Sequence, residues 1–185
     1  AENLAKEYNL QEKFKFVAGD ACNMPFENET FDTIIMNDAM EHVDKPEGVL
    51  DECYRVLRKD GKLYLNFPPY NHPYGAHLSD AIGIPWVHVF FNEKTLIKTY
   101  KELVKNLPDG KARIDFRIGT KEDGTEYFSY INKMSIKRAN RILHNSSFKI
   151  EYYSEEPLRS IFKYPAKIPF FKEFLVKMVV CVLKK

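Results

Sequence analysis

The chain has 185 residues, of which 44% are hydrophobic and 14% aromatic, and its formal net charge is +2. A chain of this size can bury roughly 70% of its unfolded surface in one core, so we expect a single domain. Charges of both signs are mixed along the sequence, which argues against nucleic acid or an anionic membrane as a partner and favours a small molecule.

The three cysteines predict neither a disulfide framework nor a zinc site, because Cys22, Cys53 and Cys181 are far apart and form no C-x-x-C pair. A reducing, cytoplasmic location fits this pattern. No secretory signal is visible at the start. The apolar tail, residues 170–183, is interrupted by three charged residues, so we expect no membrane span.

The first part of the chain alternates between helical and strand-like patterns. Apolar side chains recur at near-helical spacing over residues 1–13, which predicts the end of an amphipathic helix that has no N-cap. The apolar runs 14–18 and 33–36 are typical of inner strands covered on both faces. Residues 46–57 have helical spacing with Pro46 in the first turn, and residues 62–67 form the third predicted strand.

The second part begins with an irregular segment, residues 70–92, that holds three histidines and the only tryptophan. Irregular segments of this length are usually functional, so we interpret it as a lid. The remaining predicted elements are a helix over 93–107, a β-excursion over 113–130 turning at Asp123-Gly124, a helix over 131–143 capped by Asn132 or Ser135, and strands over 148–153 and 177–183.

Strands that alternate with helices predict an α/β fold, with a mainly parallel sheet covered by helices on both faces and an antiparallel strand at its C-terminal edge. The domain prediction is one unit, residues 1–185, with a lid or insertion at about 68–92 and 108–130.

Three neighbouring stretches carry a family resemblance. They are GDACNMPF at 19–26, FDTIIMNDAMEHV at 31–43 and ECYRVLRKDGKLYLNFPPY at 52–70. In this order and spacing they resemble the motifs that follow the glycine-rich loop in class I, Rossmann-like methyltransferases of the type 11 kind. The resemblance implies S-adenosylmethionine as cofactor, a small-molecule methyl acceptor and a sheet of order 3-2-1-4-5-7-6. Residues 132–185 also resemble one subgroup of these enzymes.

The turn at Asp20 is the predicted adenine site. A carboxylate at the carboxyl edge of an open α/β sheet can accept from the adenine amino group, while the Ala21 N–H donates to the ring and Met24 offers an apolar surface. The alternative is that Asp20 only caps the following turn, as aspartate often does.

Asn37, Asp38 and Ala39 follow the second predicted strand and would also lie at the carboxyl edge. The resemblance implies that this segment lines the rest of the cofactor. Asp38 could equally cap a short turn.

His42, Tyr70 and His77 are the candidate catalytic residues at the acceptor. The adjacent Glu41-His42 pair can position or deprotonate an acceptor, although such a pair is more often structural. Tyr70 would offer an exposed hydroxyl, and His77 lies in the lid, where packing of His77 and His88 against Trp86 and Tyr70 is the simpler reading. No histidine spacing supports a metal site, so none is predicted.

None of the eight glycines forms a G-x-G pair, so the cofactor cradle of the family is absent from these residues. We therefore expect a domain that is incomplete at its N-terminal side and lacks two central strands. The gap would be closed by direct pairing of strands 14–18 and 33–36, or by a strand from another copy or a missing piece, with self-association through exposed edges. The alternative function is a noncatalytic binding or assembly module that retains the fold.

Overall fold

The computed structural model describes residues 2–185. Its helices are α1 (Glu2–Glu7), α2 (Pro46–Val56), α3 (Val87–Phe90), α4 (Glu93–Val104), α5 (Gly110–Arg117), α6 (Ile136–Asn145) and α7 (Pro169–Leu175). Its strands are β1 (Phe31–Asn37), β2 (Leu57–Phe67), β3 (Ile118–Thr120), β4 (Glu126–Phe128), β5 (Lys149–Pro157) and β6 (Val176–Lys184). Short 3-10 turns cover Gln11–Lys13, Ser160–Phe162 and Pro165–Lys167.

The main sheet has four strands in the order β1-β2-β6-β5. This matches the 4-5-7-6 part of the order that the resemblance implies, and the α/β class is confirmed. The sheet is mixed rather than mainly parallel, because only β1 and β2 run parallel while β6 is antiparallel to both of its neighbours. The predicted antiparallel pairing near the C terminus is present as β5 and β6.

One face of the sheet forms the larger core. Leu63, Leu65 and Phe67 alternate along β2, point to the same face and are fully buried or nearly so. The β6 residues paired with them, Val179, Cys181 and Leu183, are buried as well. The apolar sides of α2 and α6 join the same cluster, so these two helices cover this face.

The opposite face is open along one row of side chains. Ile35 is 69% exposed, and Tyr64 and Tyr152 on β2 and β5 are also exposed. The prediction that residues 33–36 are covered on both faces is therefore wrong. Among residues 2–185 no helix covers this row. The prediction of helices on both faces is therefore not met at this part of the sheet.

The predicted strand at 14–18 is also wrong, since these residues form no strand and Phe14, Phe16 and Val17 are exposed. A β-prone run becomes a strand only where a neighbour accepts its backbone hydrogen bonds. Among the described residues β1 pairs only with β2, so direct closure of the gap by 14–18 does not occur.

The segments predicted to form a lid contribute, together with α4, to a second hydrophobic core. Residues from α3, α4, the hairpin and the irregular segment before them form a second cluster, which includes Leu78, Ile97, Tyr100 and Tyr130. The hairpin at Asp123-Gly124 is confirmed, and Gly124 there has a positive φ of 80°. Residues 113–117 are helical rather than extended, because α5 packs Ile114 against this second cluster.

None of the helices described in residues 2–185 is long and apolar enough to cross a bilayer.

Candidate functional site

The carboxyl ends of β1 and β2 meet at one edge of the sheet and are joined by two asparagines. Asn66 Nδ2 donates to Asn37 Oδ1 at 3.0 Å, and the Asp38 backbone N–H donates to Asn66 Oδ1 at 3.1 Å. Asp38 has a φ of 45°, so the chain turns sharply as soon as β1 ends. Asn66 was not singled out from the sequence, because its role depends on the register between two strands.

The Asp20 turn is closed by its own side chain, since Asp20 Oδ1 accepts a hydrogen bond from the Cys22 backbone N–H at 2.8 Å. The capping role foreseen as the alternative is therefore present, and it leaves the second carboxylate oxygen for other contacts.

The same turn borders a cavity of about 380 Å³. Residues 19–22 line one side, and Val43, Asp44, Lys45 and Val49 line the other. The turn is thus a neighbour of residues 43–45, which lead into α2. Asn37, Asp38 and Ala39 lie at the end of β1 and directly after it, without lining this cavity.

An ion pair on α2 holds the loop after the Asp20 turn. Glu52 Oε1 accepts from the Met24 backbone N–H at 2.7 Å, and Arg55 donates to Glu52, to the Met24 carbonyl and to Asn28. The hydrogen bonds from Arg55 hold the pKa of Glu52 below its usual value. Glu52 and Arg55 were not singled out from the sequence, although the E-x-x-R spacing was a signal of the i,i+3 pair.

Two of the three predicted catalytic residues lie together with Glu41. The rings of His42 and His77 are 5.0 Å apart between centroids, and His42 Nε2 is 3.8 Å from Glu41 Oε1. One ligand-type atom from each of Glu41, His42 and His77 falls within 4.8 Å of the others. His77, which lies in the predicted lid, is therefore next to the segment that follows β1.

The protonation of this cluster is set by burial and by one backbone carbonyl. Burial raises the pKa of Glu41, and burial and then His42 lower the pKa of His77 to about 4. His42 Nδ1 lies 2.6 Å from the Tyr130 carbonyl oxygen. Since a carbonyl only accepts, Nδ1 carries the proton, and in the neutral ring the Nε2 lone pair faces Glu41.

Asn132 fixes the backbone around Glu41. Its Nδ2 donates to the carbonyls of Met40 at 2.8 Å and Val43 at 2.6 Å, and its backbone N–H donates to the Glu41 carbonyl at 2.8 Å. Of the two caps proposed for α6, Ser135 is the one present, because its hydroxyl accepts from the Arg138 N–H. Asn132 is too distant in sequence from Glu41 for this role to be read from the pattern.

Tyr70 belongs to a different part of the lid. Its ring lies 4.8 Å from His88, as the packing interpretation expected, and its backbone N–H donates to the Met134 carbonyl at 2.7 Å. The side chain is half-buried rather than exposed, and burial raises its pKa to about 12. His77, in contrast, packs on His42.

Comparison with known proteins finds a family match for the N-terminal third of the chain. Residues 1–65 match the family model described as a methyltransferase domain. The sterol 24-C-methyltransferase of Saccharomyces cerevisiae is 44% identical over 61 residues, which cover 33% of this chain and 16% of the yeast protein. The resemblance to class I methyltransferases is confirmed. The chain thus matches only about a sixth of the length of this relative.

Solved structures extend the likeness in fold to the whole chain. Geranyl diphosphate C-methyltransferase from Streptomyces coelicolor has a TM-score of 0.55 at 11% identity, covering 99% of this chain and 59% of that protein. A [4+2]-cyclase also has a TM-score of 0.55 at 10% identity, and the match covers 99% of this chain and 60% of the cyclase chain. The methyltransferase fold is therefore shared with an enzyme named for a different reaction.

Proposed function

We propose that this chain takes part in methyl transfer from S-adenosylmethionine to a small-molecule acceptor. The observation that carries the proposal is the cavity between the Asp20 turn and residues 43–45. Of the neighbouring histidine pair, His42 lies on the chain just before Val43 and His77 lies in the predicted lid. When bound, the cofactor supplies an electrophilic methyl group. The residues of this chain would bind its nucleoside and orient the acceptor.

The Asp20 turn, which lines the cavity, and the loop after it fit the adenosine half of the cofactor. Asp20 keeps one carboxylate oxygen for the adenine amino group, Ala21 offers a backbone N–H, and Met24 is held in place by Glu52 as an apolar surface. Asn37, Asp38 and Ala39 would contact the remainder of the cofactor. The cradle for the methionine end is not among these 185 residues, because they contain no G-x-G.

The proposed acceptor side is formed by His42 and His77, with Tyr70 further along the lid. His42 Nε2 can accept a proton from an acceptor hydroxyl or amine, because its Nδ1 proton is engaged by Tyr130. The raised pKa of Tyr70 keeps its phenol protonated, so Tyr70 would act as a hydrogen-bond donor. The relative named for sterols supports an apolar acceptor.

The alternative is a noncatalytic binding or assembly module. The open edge of β1 and the exposed row at Ile35 favour this reading, because both offer surface to a second chain. Self-association through that edge belongs to the same proposal.

Calorimetry with nucleosides tests the cofactor assignment. If the present residues bind mainly adenosine, S-adenosylhomocysteine and 5′-methylthioadenosine should bind within roughly tenfold of each other, a difference of about 1.4 kcal/mol, and methionine alone should not bind. Binding of neither nucleoside would favour the noncatalytic module.

Variants at Asp20 make the test specific. Asp20→Ser can keep the cap on the Cys22 N–H through its hydroxyl but loses the carboxylate, and we expect it to weaken nucleoside binding about tenfold. Asp51→Ser, on the exposed side of α2, is the matched control. Equal binding by both variants would remove Asp20 from the site.

A further inference from the structure

The cluster of Glu41, His42 and His77 contains a buried carboxylate that has no partner. The Glu41 side chain is 1% exposed, and neither of its oxygens has a hydrogen-bond partner among the described residues. A carboxylate in such a place is costly when ionised unless a cation or donor meets it. The neighbouring side chains are two imidazoles whose ligand atoms lie within 4.8 Å of a Glu41 oxygen and of each other.

His42 is oriented for binding on the side that faces Glu41. Its Nδ1–H donates to the Tyr130 carbonyl at 2.6 Å, which fixes both the ring and the tautomer. Histidines that bind metals usually donate their other N–H in this way. The Nε2 lone pair is left 3.8 Å from Glu41 Oε1, and an ion between the two groups would contact both after a small side-chain adjustment.

The backbone around the cluster is held on both sides. Asn132 fixes the carbonyls of Met40 and Val43, and the Tyr130 hydroxyl donates to the Ala76 carbonyl next to His77. The three side chains therefore project from supported segments, which a binding site requires.

We propose that Glu41, His42 and His77 bind a divalent transition-metal ion. Two imidazoles and one carboxylate suit zinc, iron(II) or manganese, whereas magnesium and calcium prefer sets made only of oxygen. The sequence prediction of no metal site rested on the spacing of the histidines along the chain. The set that the fold assembles instead joins one lid histidine to the Glu41-His42 pair.

Three protein ligands leave at least one position open for another molecule. With the Nε2 lone pair of His42 engaged as a ligand, the ion would replace that nitrogen as the activating group: it would bind the heteroatom of an acceptor and lower its pKa. This role rests on the proposed methyl transfer, whereas the binding of the ion does not.

The test is titration of the metal-free full chain with Zn²⁺ by calorimetry and with Co²⁺ by visible absorption, both without nucleoside. We expect one ion per chain at micromolar affinity or tighter, an energy of about 8 kcal/mol at 1 μM. The cobalt spectrum should show nitrogen and oxygen ligation without bands from a thiolate.

Glu41→Gln and His77→Ala should each weaken zinc binding at least about tenfold, since each removes one ligand. His144→Ala is the control, because His144 is exposed on α6 and should leave binding unchanged. Glu41→Gln removes a buried charge that has no partner, so it should fold and keep its melting temperature without metal.

Absence of zinc binding by the wild-type chain would overturn the proposal. So would equal affinity in the Glu41 and His144 variants, or thiolate bands in the cobalt spectrum. Because nucleoside binding is measured separately, failure here is distinct from failure of the methyl-transfer proposal.

Discussion

Single side chains decide how the segment after β1 is held. Asn132 lies about ninety positions from Glu41 in sequence, yet its amide satisfies two carbonyls on either side of the Glu41-His42 pair. Buried carbonyls need donors, and here one side chain supplies both. The geometry of the cluster thus depends on a residue that would touch neither cofactor nor acceptor.

Replacing Asn132 by leucine should lower the free energy of unfolding by about 1–3 kcal/mol, because two partly buried carbonyls lose their donor. The variant should also weaken zinc binding, since the backbone carrying Glu41 and His42 is released. Urea unfolding and zinc calorimetry measure the two effects. Asn145→Leu at the exposed end of α6 is the control, and an equal loss in both variants would contradict the role of Asn132.

At the scale of elements, α2 does more than cover the sheet. One side of the helix buries Val49, Leu50 and Cys53 in the core. Glu52 and Arg55 bind the Met24 backbone, and Arg55 also donates to the Asn28 side-chain oxygen. The helix therefore sets the distance between the core and the proposed adenine turn.

Glu52→Gln should remove part of the pH dependence of stability. Arg55 lowers the pKa of Glu52 in the folded chain from an ordinary value of 4.5. The contribution of Glu52 to the free energy of unfolding is therefore present above pH 4.5 and is lost as the pH falls through the lower folded pKa. The wild-type chain should therefore lose more stability than the variant between about pH 4.5 and the folded pKa. Melting temperatures across that range measure this, and Asp51→Asn, on the same helix but exposed, should behave as wild type.

Local sequence patterns predicted the elements that pack against neighbouring parts of the chain or whose apolar repeat extends over many residues. The helix at α2, the core strand β2 and the C-terminal pair β5 and β6 follow from apolar spacing alone. Residues 14–18 have the same apolar character but no neighbouring strand, so their propensity could not decide the outcome. In the same way His42 and His77 could be singled out, while their meeting with a buried Glu41 depends on how the lid folds back.

At the scale of the molecule, the sheet within residues 2–185 ends in an unpaired outer strand at each edge, β1 and β5. The β1 strand has an unpaired edge within residues 2–185, and Ile35 stands at the β1 end of the exposed row, next to Tyr64 on β2. Exposed edges with apolar side chains favour pairing with another chain.

We expect the chain to associate in a concentration-dependent manner. Ile35→Lys places a charge on this edge strand without touching the core and should shift the equilibrium toward monomer, by about tenfold or more in dissociation constant. Sedimentation at several concentrations measures the shift. Thr99→Lys, on the exposed side of α4, is the control, and a wild-type chain that stays monomeric at all concentrations would contradict the expectation.

The place of β6 governs when the sheet can form during synthesis. Among the strands of residues 2–185 it is the last to be synthesised, yet it lies between β2 and β5. Until Val176–Lys184 has been translated, these two strands have no common neighbour, and the apolar side of α6 has only part of its support. In a nascent chain the larger core therefore cannot be completed until this strand has been translated.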